Sequence, residues 1–227
     1  MVKRIIILLV IVFFAIIIFP LLKVDPTDSL SSLATKYIRD GADELGSANL
    51  VTSIVVTYRG LDTLGEVAVL FIATAGVGFL LRKKKNSSAN KRRKSSEILS
   101  SGTSFLVPII FLFGVYIFTH GHLTPGGGFQ GGVVIASGVL LLMLSDVSLK
   151  FNHFLLSAIE SFSGFFYIII GILGLFLAGG FLDNRIFSLG TFGNIFSAGA
   201  IPIIYSLLGI KVGSELVGIL GNLRDSE

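Results

Sequence analysis

The residues able to do chemistry in this 227-residue chain are few, and each stands beside or inside an apolar run. Arg59, Asp62 and Glu66 are spaced three and four apart, which sets them on one helix face. A charged group at membrane depth costs about 2.5–3.5 kcal/mol by insertion scales unless it is paired or hydrated. Two carboxylates with a counter-ion could hold a proton or coordinate a hydrated cation there. The structural alternative is that Asp62 and Glu66 merely sit at a helix N-terminus, where the dipole favours negative charge. Glu160 has no basic residue three or four positions away, so its partner must come from another helix or subunit, or it carries a proton. Lys211 and Glu215, four apart near the end of the last apolar run, read as an anchor at the membrane boundary. His120 and His122 lie two apart with no third ligand in view, which favours a hydrogen-bonding or titrating loop pair over a metal site.

Absences narrow the chemistry further. Without cysteine there is no disulfide, thiolate-held metal, iron–sulfur ligand or catalytic thiol. No cofactor is expected, and any redox centre belongs to a partner. Neither GxSxG nor HExxH occurs, so an intramembrane enzyme is disfavoured.

The elements that must position these groups are apolar helices. The chain is 52% hydrophobic and 14% charged, which a water-soluble globule could not bury. An all-α integral membrane protein of about six spans is expected, at Ile5–Leu22, Leu61–Leu81, Phe105–Thr119, Phe129–Leu144, Leu155–Leu182 and Phe192–Leu220. The first run ends in FPLLKVDP rather than a small-x-small site and reads as an uncleaved span. Between it and the second span lie a polar stretch with a short surface helix around Leu30–Arg39, then a helix break at Gly60. Pro202, inside the last predicted span, is expected to kink it.

Eight basic residues between Arg82 and Lys94 carry the topological signal. With both termini cytoplasmic, thirteen of the eighteen Lys and Arg fall on the inner side, and His120–Gly132 falls on the outer side. Positive charge gathered in one loop sets orientation and argues against nucleic acid as a partner. The chain is therefore expected in the plasma membrane as a multi-pass protein, with the lipid bilayer as its solvent.

The stretch HGHLTPGGGFQGG leaves backbone almost bare where a span begins, so another element must pack against it. Gly128, Gly132 and Ala136 repeat every four residues, and Gly164, Gly171, Gly174 and Ala178 line one side of the next span. Inside lipid, apolar burial does not draw helices together, and close approach over small residues does. These stripes are packing seams. No Lys or Ser/Thr follows the glycines in P-loop fashion, so nucleotide binding is rejected.

These residues also carry a resemblance. TPGGGFQGG at Thr124–Gly132, with His122 before it, resembles the signature of the MnhB/MrpB family, a subunit of multisubunit Mrp-type sodium/proton antiporters, over about Ser100–Leu220. NLVTSIVVTYRGLDTLGE at Asn49–Glu66 resembles the segment ending the large Mrp A subunit, found as a separate small subunit in archaeal membrane-bound hydrogenases and sulfur reductases. Thr57 departs from that pattern, standing where an acidic residue is common, which weakens any three-carboxylate site.

The resemblance implies a fusion: residues 1–82 as a two-span Mrp A-like segment, 83–99 as a basic cytoplasmic linker, and 100–227 as a four-span MnhB-like domain. It implies other Mrp-type subunits as partners, Na+ and H+ as the transported ions, and a redox arm, where attached, carried by other subunits. It marks Glu66 and the turn at Pro125 and Phe129 as functional positions; with the charged and titratable residues read above, the candidates for an ion or proton path are Asp62, Glu66, Glu160 and His122. Arg59, Gly60, Thr63, Pro125, Gly126, Gly127, Gly128, Phe129, Gly131 and Gly132 then form the structural motif. The alternative within the same complex is a purely structural subunit.

Overall fold

The computed structural model describes residues 2–21, 30–81, 95–146 and 152–226. Among them every regular element is helical: α1 Val2–Leu21, α2 Ser32–Leu45, α3 Leu50–Thr52 continuing as a π-helical turn Ser53–Tyr58, α4 Gly60–Leu81, α5 Glu97–Thr119, α6 Gly128–Ser145, α7 His153–Leu177, a 3-10 turn Asn184–Ile186, and α8 Ile201–Ser226. Five of these, α4 to α8, are long and apolar enough to cross a membrane, and α1 holds a shorter apolar stretch, Arg4–Phe19. The basic segment 82–94 lies outside the described residues.

The chain divides into two units, Met1–Lys36 and Tyr37–Glu227. In the first, α1 presents exposed Ile, Leu, Val and Phe on every side, as a lone span in lipid would. In the second, α8 packs against α4, α5, α6 and α7 and is the most buried span, with Ala200, Ile201, Ile204 and Leu208 inaccessible or nearly so. Residues 37–81 therefore belong to the same packed body as the four helices that follow.

The connections after α2, α5 and α7 meet at one end of that body. Asn49 donates to Gly121 and Thr124, and Asn184 donates to Leu45 and Ala198. A buried amide with four bonding positions ties loops together where no apolar contact could satisfy their carbonyls.

Three expectations are corrected. The last span begins at Ile201, not Phe192, because Gly193, Ala198 and Gly199 take φ of 83°, 62° and 57°, which no right-handed helix allows. Pro202 is consequently the second residue of α8, where its missing N–H is not needed, so it starts the helix instead of kinking it. The preceding span, α7, stops at Leu177 rather than Leu182: the amides of Ala178, Gly179 and Gly180 all fold back onto the Gly174 carbonyl oxygen. In addition, α5 starts at Glu97, eight residues before the predicted Phe105, capped by the Ser96 hydroxyl accepting from the Leu99 amide.

Candidate functional site

The glycine turn is built by what approaches it. Gly127 has φ of 151°, and a Cβ there would lie 2.9 Å from Gln130 Oε1, so α6 can begin in this way only from glycine. A Cβ on Gly132 would stand 2.8 Å from the Gly209 carbonyl oxygen, and one on Gly128 2.9 Å from that of Tyr205, both on α8. A Cβ on Gly131 would stand 2.7 Å from the Gly114 carbonyl oxygen, and one on Gly126 2.9 Å from that of Ile117, both on α5. Gly128 and Gly132 thus face one helix while Gly126 and Gly131 face another. The small-residue repeat is a packing seam, with Ala136 buried along it. Pro125 stays exposed at the tip, and Phe129 packs against the core.

From the other side the turn is clamped by the Asn49 segment. Asn49 accepts from the Val51 amide to cap α3 while its own amide holds Gly121 and Thr124. Thr52 donates to the Gly121 carbonyl oxygen at 2.6 Å, and Tyr205 on α8 donates to Thr52 Oγ1 at 3.0 Å. The π-helical turn then closes with the Arg59 amide on Ile54, and Thr63 donates to the Val55 carbonyl oxygen at 2.6 Å. Gly60 admits the loop after α7, since a Cβ would sit 3.0 Å from Leu182 Cβ. Arg59, Gly60 and Thr63 therefore shape the entry to α4.

Asp62 and Glu66 part company here. Asp62 lies in the first turn of α4 and pairs with Arg59, both half-exposed, which suits the dipole-and-counter-ion alternative. Glu66 is about 9 Å further along from Gly60. It forms no ion pair among the described residues and lines a cavity of about 210 Å³ with Gly126, Phe129, Gln130 and Tyr205. The two motifs, sixty residues apart in the chain, share this one cavity. On its outward side Glu66 is exposed on the chain taken alone.

Glu160 does take its partner from another helix, as its sequence surroundings required. Lys211 Nζ stands 4.0 Å from Glu160 Oε1 and donates to Glu215 Oε1 at 2.6 Å. The boundary-anchor reading of Lys211 and Glu215 is corrected: they are 8% and 2% exposed, and Lys211 is only about 15 Å along α8 because that helix starts nine residues late. Lys211 also leaves the count of topology-setting charges.

His122 is fully buried, with Nε2 donating to the Asn194 carbonyl oxygen at 3.3 Å and Nδ1 without a hydrogen-bond partner among the described residues. Burial, reinforced by nearby His120, pushes its pKa below the ordinary histidine value, with the Asn194 bond opposing. The folded turn thus binds this proton only at lower pH than the unfolded chain, so His122 contributes stability in full above about pH 6.5, and the contribution is lost as pH falls from there through its lowered folded value. Replacing His122 by Gln is expected to flatten the fall in thermal stability between about pH 7 and 5. Equal slopes for the two proteins would refute the assignment. His120 instead stacks on Tyr116, with ring centroids 4.2 Å apart, so the two histidines do not converge on a metal.

Outside the spans a polar network braces the same end. Asp183 holds Arg185, Arg185 reaches Glu44 at 3.7 Å, and Tyr58 donates to Glu44 at 2.5 Å. Burial first, then the Glu44 carboxylate, pushes the Tyr58 phenol well above its usual range, keeping it a donor. Asn49, Thr52 and Gln130 stand inside the two sequence motifs, whereas Tyr205 on α8 lies outside both. The available signal was polar residues placed inside otherwise apolar stretches.

Comparison with known proteins places these features. The family described as a domain related to the MnhB subunit of Na+/H+ antiporter matches residues 98–218, and that described as the E subunit of MBH matches residues 3–95. An uncharacterised protein of Methanocaldococcus jannaschii is 30% identical over 215 residues, 81% of each chain. A chain of the membrane-bound sulfane sulfur reductase (MBS), an archaeal respiratory membrane complex, is 43% identical with a TM-score of 0.79, each chain being 98% covered. A chain of the Mrp complex from a Dietzia species shares the fold, with a TM-score of 0.69 at 22% identity over 86% of this chain and 23% of that one. With its five apolar helices, the chain is a multi-pass membrane protein.

Proposed function

Since this chain belongs to the family of domains related to the MnhB subunit of Na+/H+ antiporters, we propose that it serves as a membrane subunit of an Mrp-type cation/proton antiporter module, with Glu66 on the ion or proton path. The observation that carries this reading is the shared cavity. Glu66 has no counter-ion among the described residues, yet it faces Phe129, Gln130 and the glycine turn across about 210 Å³ of space. A carboxylate about one and a half turns inside a span is expensive in hydrocarbon, so its exposed side must be met by water or by another subunit. Intermittent occupation by a proton or a monovalent cation would give that expense a use.

Asp62, held by Arg59, would tune the mouth of the path, and His122 and the turn at Pro125–Phe129 would shape it. Glu160 would act deeper in the bundle. In this reading the chain itself does no covalent chemistry. Its partners are other membrane subunits, with any redox arm on those. We take residues 1–82 and 100–227 as two fused family segments joined by the basic stretch, which we place on the cytoplasmic side with both termini. Support comes from the two family matches, which meet between residues 95 and 98, and from the MBS chain, which spans both in one polypeptide.

Glu66→Gln in the intact complex, reconstituted in vesicles, is expected to lower sodium-dependent proton exchange at least about tenfold, equivalent to a barrier higher by about 1.4 kcal/mol. Unaltered exchange in a fully assembled complex would sink the transport role. The packing seams favour a second reading, a structural subunit, under which the same variant alters assembly or nothing. Native gels beside the transport assay separate the two, and repeating the assay with potassium identifies the cation.

A further inference from the structure

Glu160, Lys211 and Glu215 meet around the middle of α8, with Lys211 level with Gly132 at the end of the glycine stretch and Glu215 one turn beyond it. Measured along their helices, Lys211 and Glu215 are about 15 and 21 Å from the start of α8, and Glu160 about 10 Å from the start of α7. All three therefore sit at membrane depth. Lys211 Nζ donates to Glu215 Oε1 at 2.6 Å and stands 4.0 Å from Glu160 Oε1. It also stands 5.3 Å from the centroid of the Phe71 ring. Gly164 borders the lysine stem, and a Cβ there would stand 3.5 Å from Lys211 Cδ and Cε, an ordinary packing distance.

The charge count does not close. Two carboxylates face one ammonium, with the Tyr167 hydroxyl bordering the same space, and the other charged groups and histidines among the described side chains of these helices lie elsewhere: Asp62 and Glu66 near the start of α4, Glu97 and His153 at the first residues of α5 and α7, Asp146 capping α6, and Arg224 at the end of α8. Glu215 is 2% exposed, and its Oε2 has no hydrogen-bond partner among the described residues. A net negative charge in a low-dielectric place is unfavourable, as is a buried acceptor left bare. One proton on either acid removes the net charge.

We propose that Glu160, Lys211 and Glu215 form a buried proton-binding site in which two carboxylates hold one proton between them beside the Lys211 amine. With the proton on Glu160, Lys211 and Glu215 remain as a neutral ion pair. On release the proton passes to water, and Lys211 is shared between both acids. Glu160 is the exchanging member because it borders two cavities. One, of about 290 Å³, also holds Lys211 and Tyr167, whose hydroxyl is buried without a partner among the described residues. The other, of about 300 Å³, is lined by Glu215, Ser157 and Asn222. The second is roomy and polar enough for several waters, while the first is lined mostly by apolar side chains. Sodium is disfavoured, since it would share its place with the ammonium. Binding a proton here requires no ion path through the chain, so the site stands independently of the role of Glu66.

Infrared difference spectra of the purified intact complex, taken between acid and alkaline buffers, test the site. The wild type is expected to show a protonated carboxylic-acid band and the uptake of one proton per chain, both missing in Glu215→Gln and in Glu160→Gln and retained in Glu215→Asp. If Glu215→Gln does not assemble, Glu160→Gln, whose side chain is 26% exposed, gives the same reading. A band and proton uptake unchanged in the Gln variants would overturn the proposal. So would a wild-type band abolished by sodium at constant pH, which would mark a cation site instead.

Discussion

Gly132→Val is expected to prevent the complex from assembling. The added Cβ would lie 2.8 Å from the Gly209 carbonyl oxygen, 2.9 Å from Val212 Cβ and 3.0 Å from the Gly213 amide nitrogen. Two of those three atoms are helix backbone, which yields only if α6 and α8 separate. Separation forfeits the dispersion contacts along the whole seam from Gly128 to Ala136, the main attraction available between helices in lipid. Ordinary overpacking costs about 1–3 kcal/mol, and a backbone-limited seam should exceed that range. Gly102→Ala serves as the control, because nothing lies within 4 Å of the position its Cβ would take. Size-exclusion profiles of the detergent-solubilised complex report the result. Normal assembly of Gly132→Val would show that the seam is looser than its geometry requires.

Lys211→Met should be nearly as damaging, for an electrostatic reason. The thioether chain fills the space beside Gly164, but it leaves Glu160 and Glu215 without their cation, and removing one partner of a buried pair costs about 3–5 kcal/mol. Part of this is recovered by protonating both acids, so the variant's thermal stability should fall by on the order of 10 °C at neutral pH and recover in acid. The sign follows from charge: in acid both carboxylates are neutral and no buried charge is left without a partner, whereas at neutral pH the unpaired charge opposes folding. Combining Lys211→Met with Glu160→Gln and Glu215→Gln should restore stability by removing every buried charge. A single variant as stable as the wild type across pH would mean that the lysine is not the neutralising group.

Much of the architecture was legible because a bilayer permits so few solutions. An apolar run of about twenty residues must be a helix, since no water is present to satisfy its backbone. Glycine repeats at helical spacing must be contact lines. The Glu66 motif and the glycine turn were both visible as motifs. Their common cavity was not, because it depends on Asn49, Thr52 and Tyr205 drawing two distant segments together through hydrogen bonds. The start of α8 escapes composition for a related reason. Phe192–Ala200 is apolar enough to read as the opening of the last span, and composition carries no record that Ala198 and Gly199 take left-handed conformations beside the bonds to Asn184.

That single boundary changed the meaning of Lys211 and Glu215. Counted from Phe192 they lie at the membrane surface, and counted from Ile201 they lie inside it, beside Glu160. By itself the sequence determined the class of the molecule, the number and rough extent of its apolar helices, and the residue types available for chemistry, since each of these follows from local composition and period. Tertiary structure alone decided which charges meet, which of them are buried and which are left one counter-ion short. Those outcomes depend on distances across helices and on where a turn ends a span, quantities that no local window of residues contains.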